Sequence, residues 1–215
     1  MDLREISIFK NLSDQDLEDI KKKTSIEEKT FTKGEHIFRV GEVSTDMYYL
    51  ISGSVTVYKI DPNGKRFIIK TFNKPAIFGE VYAYLSEAFD FSAEANEDSK
   101  IAIIRNIKSL FSPDMPHQFL INYINMISKK CLELSKNNQV TSQATLRQKI
   151  ANYLLLNQVD GTFTSKMSRD QWADILATTR PSLSRELSKM ADDGLISLET
   201  GKILISDLDK LRNIL

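Results

Sequence analysis

Apolar residues along this chain change their spacing from one segment to the next, and each spacing predicts a different element. Between about residues 25 and 112 they fall in short strand-like groups: Val55, Val57, Tyr58 and Ile60, then Ile68, Ile69 and Phe72. Turn signals at Lys33-Gly34, Val40-Gly41, Ser52-Gly53 and Pro62-Asn63-Gly64 separate such groups at roughly ten-residue spacing, the pattern of an all-β barrel or jelly roll. Ahead of it, Ile8, Phe9, Leu12, Ser13, Leu17 and Ile20 predict a short capped helix. From about Met115 to Val140 the chain holds no glycine. There Leu120, Ile127 and Leu134 repeat at seven, and Ile124, Cys131 and Asn138 repeat at seven four residues later, which is a helical seam turning polar at its far end.

A further helix is expected from Leu146 to Leu156 with Ile150, Tyr153 and Leu154 inward, and two shorter ones follow. The first has Ser168 as N-cap, Gln171 completing a capping box and Met167 placed to staple onto Trp172. In the second, Thr179 is the N-cap, Pro181 sits in the first turn, where its missing N–H is harmless, and Gly194 supplies a left-handed stop. Leu183, Leu187 and Met190 make its apolar face, leaving Arg180, Pro181, Ser184, Arg185 and Ser188 opposite. Beyond it, Ile196 and Leu198, then Thr200-Gly201, then Ile203 and Ile205 alternate at period two about a turn, as a β-hairpin does. Two short helices followed by a wing can read base edges in a major groove, with Arg pairing to guanine O6 and N7 and Ser reaching a base or a phosphate.

Composition narrows the picture. At 215 residues and 41% apolar content the chain can build one large core or two ordinary ones. No run approaches the ~18 apolar residues of a bilayer span, and the acidic start Met1-Asp-Leu-Arg-Glu lacks the order of a signal peptide, so a cytoplasmic protein is expected. A single cysteine excludes a disulfide framework and disfavours a four-thiolate iron–sulfur cluster within one chain. Net charge is zero, distributed as −3 over residues 1–115 (16 Lys+Arg, 19 Asp+Glu), +2 over 116–143 (3 and 1) and +1 over 144–215 (10 and 9). Binding to nucleic acid therefore depends on locally placed cations rather than a broad basic field.

The run Arg180-x-Ser182-Leu183-Ser184-Arg185-x-Leu187 followed by Gly194-Leu195-Ile196 resembles the Crp/Fnr family of bacterial transcription regulators. The order of Gly34, Gly53, Gly79 and Glu80 is similar to the cyclic-nucleotide-binding jelly roll, so the likeness covers nearly the whole chain. It implies an α+β protein with a β-roll sensor at 1–115, a dimerisation helix at 116–143 and a winged helix-turn-helix at 144–215. It also implies that Arg180 and Arg185 meet guanines or phosphates and that Ser184 lies close to bases. Ser182, Ser188 and Lys189 complete the expected DNA-binding set. Two departures stand out. Pro181 follows the first Arg where many members carry Glu, so an operator other than that of the cyclic-AMP receptor is expected, and Ala177 occupies a turn position where Gly is frequent.

The expected effector pocket comprises Gly79, Glu80, Val81, Phe91 and Ser92. A Gly opening a helix turn can present bare N–H groups to a phosphate, and the carboxylate after it can accept from a ribose hydroxyl; the same residues also suit a turn before a core-packing helix. In nucleotide-binding members an Arg followed by Ser or Thr neutralises the cyclic phosphate. Here the matching pair is Phe91-Ser92, which disfavours cyclic AMP, because a buried phosphate with no cation facing it is costly. Phe91 with Tyr82 and Tyr84 suits a more apolar ligand, or simply fills the roll.

His36 and His117 have no metal-pair spacing, so no metal site is expected, although a haem on a single ligand remains compatible with the sequence. Cys131 reads as a small apolar residue of the seam. Along that seam a homodimer is expected over residues Leu120, Ile124, Ile127, Cys131, Leu134 and Asn138; the rival is a stripe buried against the chain's own barrel. The whole reading is a DNA-binding regulator, not an enzyme, that acts on palindromic promoter DNA with RNA polymerase under an unidentified effector. The alternatives are a sensor module, haem-based or otherwise, whose main output is not sequence-specific DNA binding, and an enzyme with a nucleotide pocket. The enzyme is disfavoured because no nucleophile–base pair or P-loop accompanies Glu80.

Overall fold

A computed structural model describes residues 1–61, 64, 66–164 and 168–215. The staple from Met167 and most of the Pro62-Asn63-Gly64 turn therefore lie outside the described residues, although Gly64 N–H does donate to the Asp61 carbonyl at 2.9 Å. Contacts divide the chain into two units, Met1–Ile127 and Ser128–Leu215.

The first unit begins with 3-10 turns and helix α1 (Asp14–Lys23). Ser13 caps it, accepting from the Asp16 amide while the Asp16 carboxylate accepts in return from Ser13, a capping box one methylene shorter than the usual Glu form. Eight strands follow: β1 (Ile26–Phe31), β2 (His36–Phe38), β3 (Met47–Ser52), β4 (Val55–Ile60), β5 (Arg66–Phe72), β6 (Ala76–Phe78), then helix α2 (Glu80–Leu85), β7 (Ser92–Ala95) and β8 (Ser99–Ile104). They form two antiparallel four-stranded sheets, ordered β1-β8-β3-β6 and β2-β7-β4-β5. This is the β-roll that the turn spacing predicts.

In the first sheet the strands β3 and β8 bury apolar residues on both faces, and the period of two sorts them between two cores. On β3, Tyr48 and Leu50 point between the sheets, while Met47 and Tyr49 face a helical layer; on β8, Ile101 and Ile103 point inward and Ala102 and Ile104 outward. That helical layer consists of the N-terminal turns, α1 and the start of the long helix α3 (His117–Thr141), whose Phe119 and Tyr123 are buried in it. Asn122 pins α3 by donating to the carbonyls of Ile8 and Lys10 at 3.1 and 2.7 Å. β5 differs from expectation. It pairs with β4 as the hairpin requires, yet Phe67, Ile68 and Ile69 are exposed on this edge strand, left uncovered among the described residues.

In the second unit α4 (Leu146–Asn157) buries Ile150, Tyr153 and Leu154 as its pattern predicts. A short strand β9 (Thr162–Thr164) leads to α5 (Arg169–Ile175), α6 (Arg180–Asp192), the hairpin β10 (Ile196–Glu199) and β11 (Lys202–Ile205), and α7 (Leu208–Arg212). The hairpin register pairs Ile196 with Ile205 and Leu198 with Ile203, and β9 adds a third strand that periodicity alone does not reveal. Trp172, Leu183, Leu187, Met190 and Ile203 share one core with α4.

Candidate nucleic-acid interface and effector pocket

The turn between α5 and α6 is built from backbone hydrogen bonds. Ser168 caps α5 in a capping box with Gln171, and Thr179 caps α6 by accepting from the Ser182 amide at 3.3 Å. At the end of α5, Thr178 N–H reaches the Ala173 carbonyl at 2.9 Å and Ala177 N–H reaches that of Asp174 at 3.1 Å, the double bond of a Schellman motif. The end of α6 repeats it, with Leu195 bonded to Met190 and Gly194 to Ala191. Both motifs need a left-handed residue: Gly194 has φ 70°, and Ala177 takes φ 49° in spite of its Cβ. The turn forms without glycine, at the cost of strain.

Burial then decides which face of α6 is available. Leu183, Leu187 and Met190 are buried, whereas Arg180, Pro181, Ser184, Arg185, Ser188 and Lys189 are exposed and Ser182 is half-buried. Arg180 forms an ion pair with Asp170 at 3.2 Å, and Arg185 folds back toward the Pro181 carbonyl at 3.4 Å. Arg147 of α4 pairs with Glu186 in the middle of α6 and with Asp193 at its C-cap, both at 2.6 Å, locking α6 onto α4.

Sequence reasoning passed over Arg169 and Lys202. They line a cleft of about 220 Å³ with Phe163, Trp172 and Gly201, between the first turn of α5 and the hairpin. The Arg169 guanidinium lies 5.3 Å from the centre of the Trp172 ring, and burial pushes its pKa down. The indole Nε1 of Trp172 is buried without a hydrogen-bond partner among the described residues. A lysine just after the hairpin glycine was the only signal in the sequence.

In the first unit, Gly79 is the N-cap of α2 with φ 78°, and a Cβ there would stand 3.0 Å from the Tyr48 ring. The structure does not gather the expected pocket residues around one space. Phe91 packs edge-on against Tyr82 at 5.0 Å and near Phe38 and Phe89, whose rings stack at 3.8 Å. With Tyr48, Phe72 and Phe78 these rings fill the interior between the sheets. Tyr82 donates its hydroxyl to Asp90 at 2.5 Å, and burial together with that carboxylate pushes its pKa up to about 12. Lys59 pairs with the same Asp90. Ser92 accepts from the Val40 amide at 3.1 Å. Glu80 is buried, but residues two apart on a helix point about 200° from one another, so it lies on the face opposite Tyr82. Its charge contributes to the upward pKa shift of Tyr123 on α3, second to burial. Val81 is exposed.

Of the expected seam, Leu120, Ile124, Cys131, Leu134 and Asn138 are exposed, and Ile127 packs in part against the core of its own unit. Among the described residues no group of three or more His, Cys, Asp and Glu side chains is arranged to hold a metal ion, and no helix is long and apolar enough to cross a membrane.

A β-roll, a long helix and a winged helix-turn-helix together define a transcription regulator with a cyclic-nucleotide-binding-like domain. Residues 28–109 match the cyclic nucleotide-binding domain family and residues 148–214 the Crp-like helix-turn-helix domain. The chain belongs to the Crp/Fnr family of transcription regulators. It is 27% identical over 187 residues to the nitrogen fixation regulation protein FixK of Bradyrhizobium diazoefficiens, covering 82% of this chain and 77% of that one. It is 24% identical over 206 residues to the anaerobic regulatory protein of Bacillus subtilis, covering 91% and 84%. Among solved structures, a CooA variant from Carboxydothermus hydrogenoformans shares the fold at TM-score 0.64 and 17% identity, covering 100% of this chain and 96% of that one.

Proposed function

We propose that two copies of the chain, joined along α3, set their α6 helices about 34 Å apart in successive major grooves of a two-fold promoter site. The observation that carries this reading is the exposed row of Arg180, Ser184, Arg185 and Ser188 on a helix whose other face is buried. Arg180 and Arg185 pair with guanine edges; Ser182, Ser184, Ser188 and Lys189 reach bases or phosphates; Arg169 and Lys202 meet the backbone. Bound in this way, the protein regulates transcription by RNA polymerase. An effector acting on the roll changes the angle of the paired α3 helices and so the spacing of the two readers. Cyclic AMP is not that effector, since Phe91 and its neighbouring rings occupy the space between the sheets and bring no cation to it.

The test is selection of DNA from a random pool, followed by anisotropy titration of the selected duplex and of a scrambled one. The expected result is a two-fold sequence bound on the order of a thousandfold more tightly than the scrambled duplex at physiological salt. Equal binding to both would refute sequence-specific readout.

A further inference from the structure

The cleft between the first turn of α5 and the hairpin contains a cation that no carboxylate neutralises. Arg169 is half-buried, burial pushes its pKa down, and it forms no ion pair among the described residues. A partly desolvated cation costs free energy unless an anion meets it. On the hairpin, Lys202 is already paired with Glu199 at 3.0 Å, so the two cations and one carboxylate of the lining leave a single positive charge in surplus. Phe163 and Trp172 supply an aromatic wall, their rings 5.3 Å apart and tilted by 36°.

We infer that this cleft binds a small aromatic carboxylate and that the bound acid competes with DNA for Arg169 and Lys202. A carboxylate matches the planar fork of a guanidinium with two parallel hydrogen bonds. The Arg169 guanidinium lies 5.3 Å from the centre of the Trp172 ring, so an acid held by the fork brings its own ring to the aromatic wall. Size limits the ligand further. About 220 Å³ is less than the ~300–1,000 Å³ that encloses a drug-sized molecule, so the cleft suits a single ring and not a nucleotide. One surplus charge favours a monoanion, because a second negative charge would face Glu199 unpaired. The competition rests on the proposed contacts of Arg169 and Lys202 with the DNA backbone, whereas binding of the acid does not. Such a site would place ligand control within the second unit, independent of the roll.

Trp172 is the only tryptophan of the chain, so its emission reports on the cleft directly. The full chain is titrated without DNA against benzoate, its uncharged analogue benzamide, and acetate, which lacks the ring. The expected result is a saturable change with benzoate at about millimolar concentration, the range open to so small a ligand. Benzamide and acetate should bind at least about tenfold more weakly, as should benzoate to Arg169→Ala and to Arg169→Lys, which keeps the charge and loses the fork. Circular dichroism verifies that both variants fold. Anisotropy with the selected duplex, at fixed ionic strength, should then show saturating benzoate weakening DNA binding on the order of tenfold in the wild type and hardly at all in Arg169→Ala. No emission change with benzoate, or an equal change in Arg169→Ala, would overturn the site. If that variant loses DNA affinity while benzoate does not bind, the cleft serves backbone phosphates only and the proposal fails. Benzoate binding that leaves DNA affinity unchanged would refute the competition. A chain that binds no duplex would refute the DNA reading instead, and the emission titration would still decide the acid site.

Discussion

One guanidinium nitrogen of Arg180 lies 3.2 Å from a carboxylate oxygen of Asp170, tying the first residue of α6 to the first turn of α5. Both side chains are more than 60% exposed, so the pair adds no more than about 1 kcal/mol to folding. Its weight falls on DNA binding, where a guanine or phosphate has to compete with the carboxylate for the same fork. Asp170→Ala should therefore leave thermal stability nearly unchanged and tighten DNA binding severalfold at low salt, with the gain fading as salt screens the charge. A loss of affinity, measured by anisotropy, would mean that Asp170 orients Arg180 for binding.

Arg180→Ala and Arg185→Ala should each cost about 1–3 kcal/mol on the selected site and much less on random DNA, because bidentate pairing discriminates between bases. Equal losses on both sequences would show that these residues grip only phosphates.

The left-handed backbone at Ala177 is a removable strain. An L-residue there costs ~1–2 kcal/mol, and replacing it with glycine returns ~0.5–1 kcal/mol of that to unfolded-chain entropy. Ala177→Gly should accordingly stabilise the second unit by about 0.5–1 kcal/mol. The single tryptophan, Trp172, sits in that core, so its fluorescence during urea denaturation reports the change directly. An unchanged or lower midpoint would show that the turn bears no strain.

Calorimetry with millimolar cyclic AMP should register no binding. Loss of a charged partner to a desolvated phosphate weakens affinity by a few kcal/mol, more than about a hundredfold. Phe91→Arg alone should restore little, since Phe38, Tyr82 and Phe89 still fill the space around it. Micromolar binding to the unmodified protein would overturn the assignment of Phe91-Ser92 to the family's Arg-Ser position.

Lys23 hydrogen-bonds Asp114 and, with Ser112 and a backbone amide, holds its carboxyl down to about 2 from the ordinary 3.8. The folded state thus favours the ionised form. Its contribution is fully present above the ordinary value and is lost as pH falls from 3.8 through about 2. A carboxyl NMR titration should place the midpoint of Asp114 near 2, and Lys23→Met should move it back up toward 3.8. An unchanged midpoint in the variant would remove Lys23 as the cause.

Much of this molecule follows from its sequence, because the determining signals act over a few residues. Ser13, Ser168 and Thr179 cap the helices they precede, since a side-chain oxygen only has to reach amides two or three residues on. The buried face of α6 follows from the helical period, and the wing from the alternation about Gly201. Other features depend on which distant element packs against a residue, and no local pattern encodes that. Tertiary structure buried Glu80, where the motif alone left open both a ribose contact and a turn before a core-packing helix. It turned Ile127 partly inward, where the heptad had placed it in a seam. It left Phe67, Ile68 and Ile69 exposed, because strand propensity predicts pairing but says nothing of what covers the face. It also closed the space behind Phe91, since rings brought together from β2, β3, β5 and β6 and from the α2–β7 stretch fill the roll only once the two sheets meet.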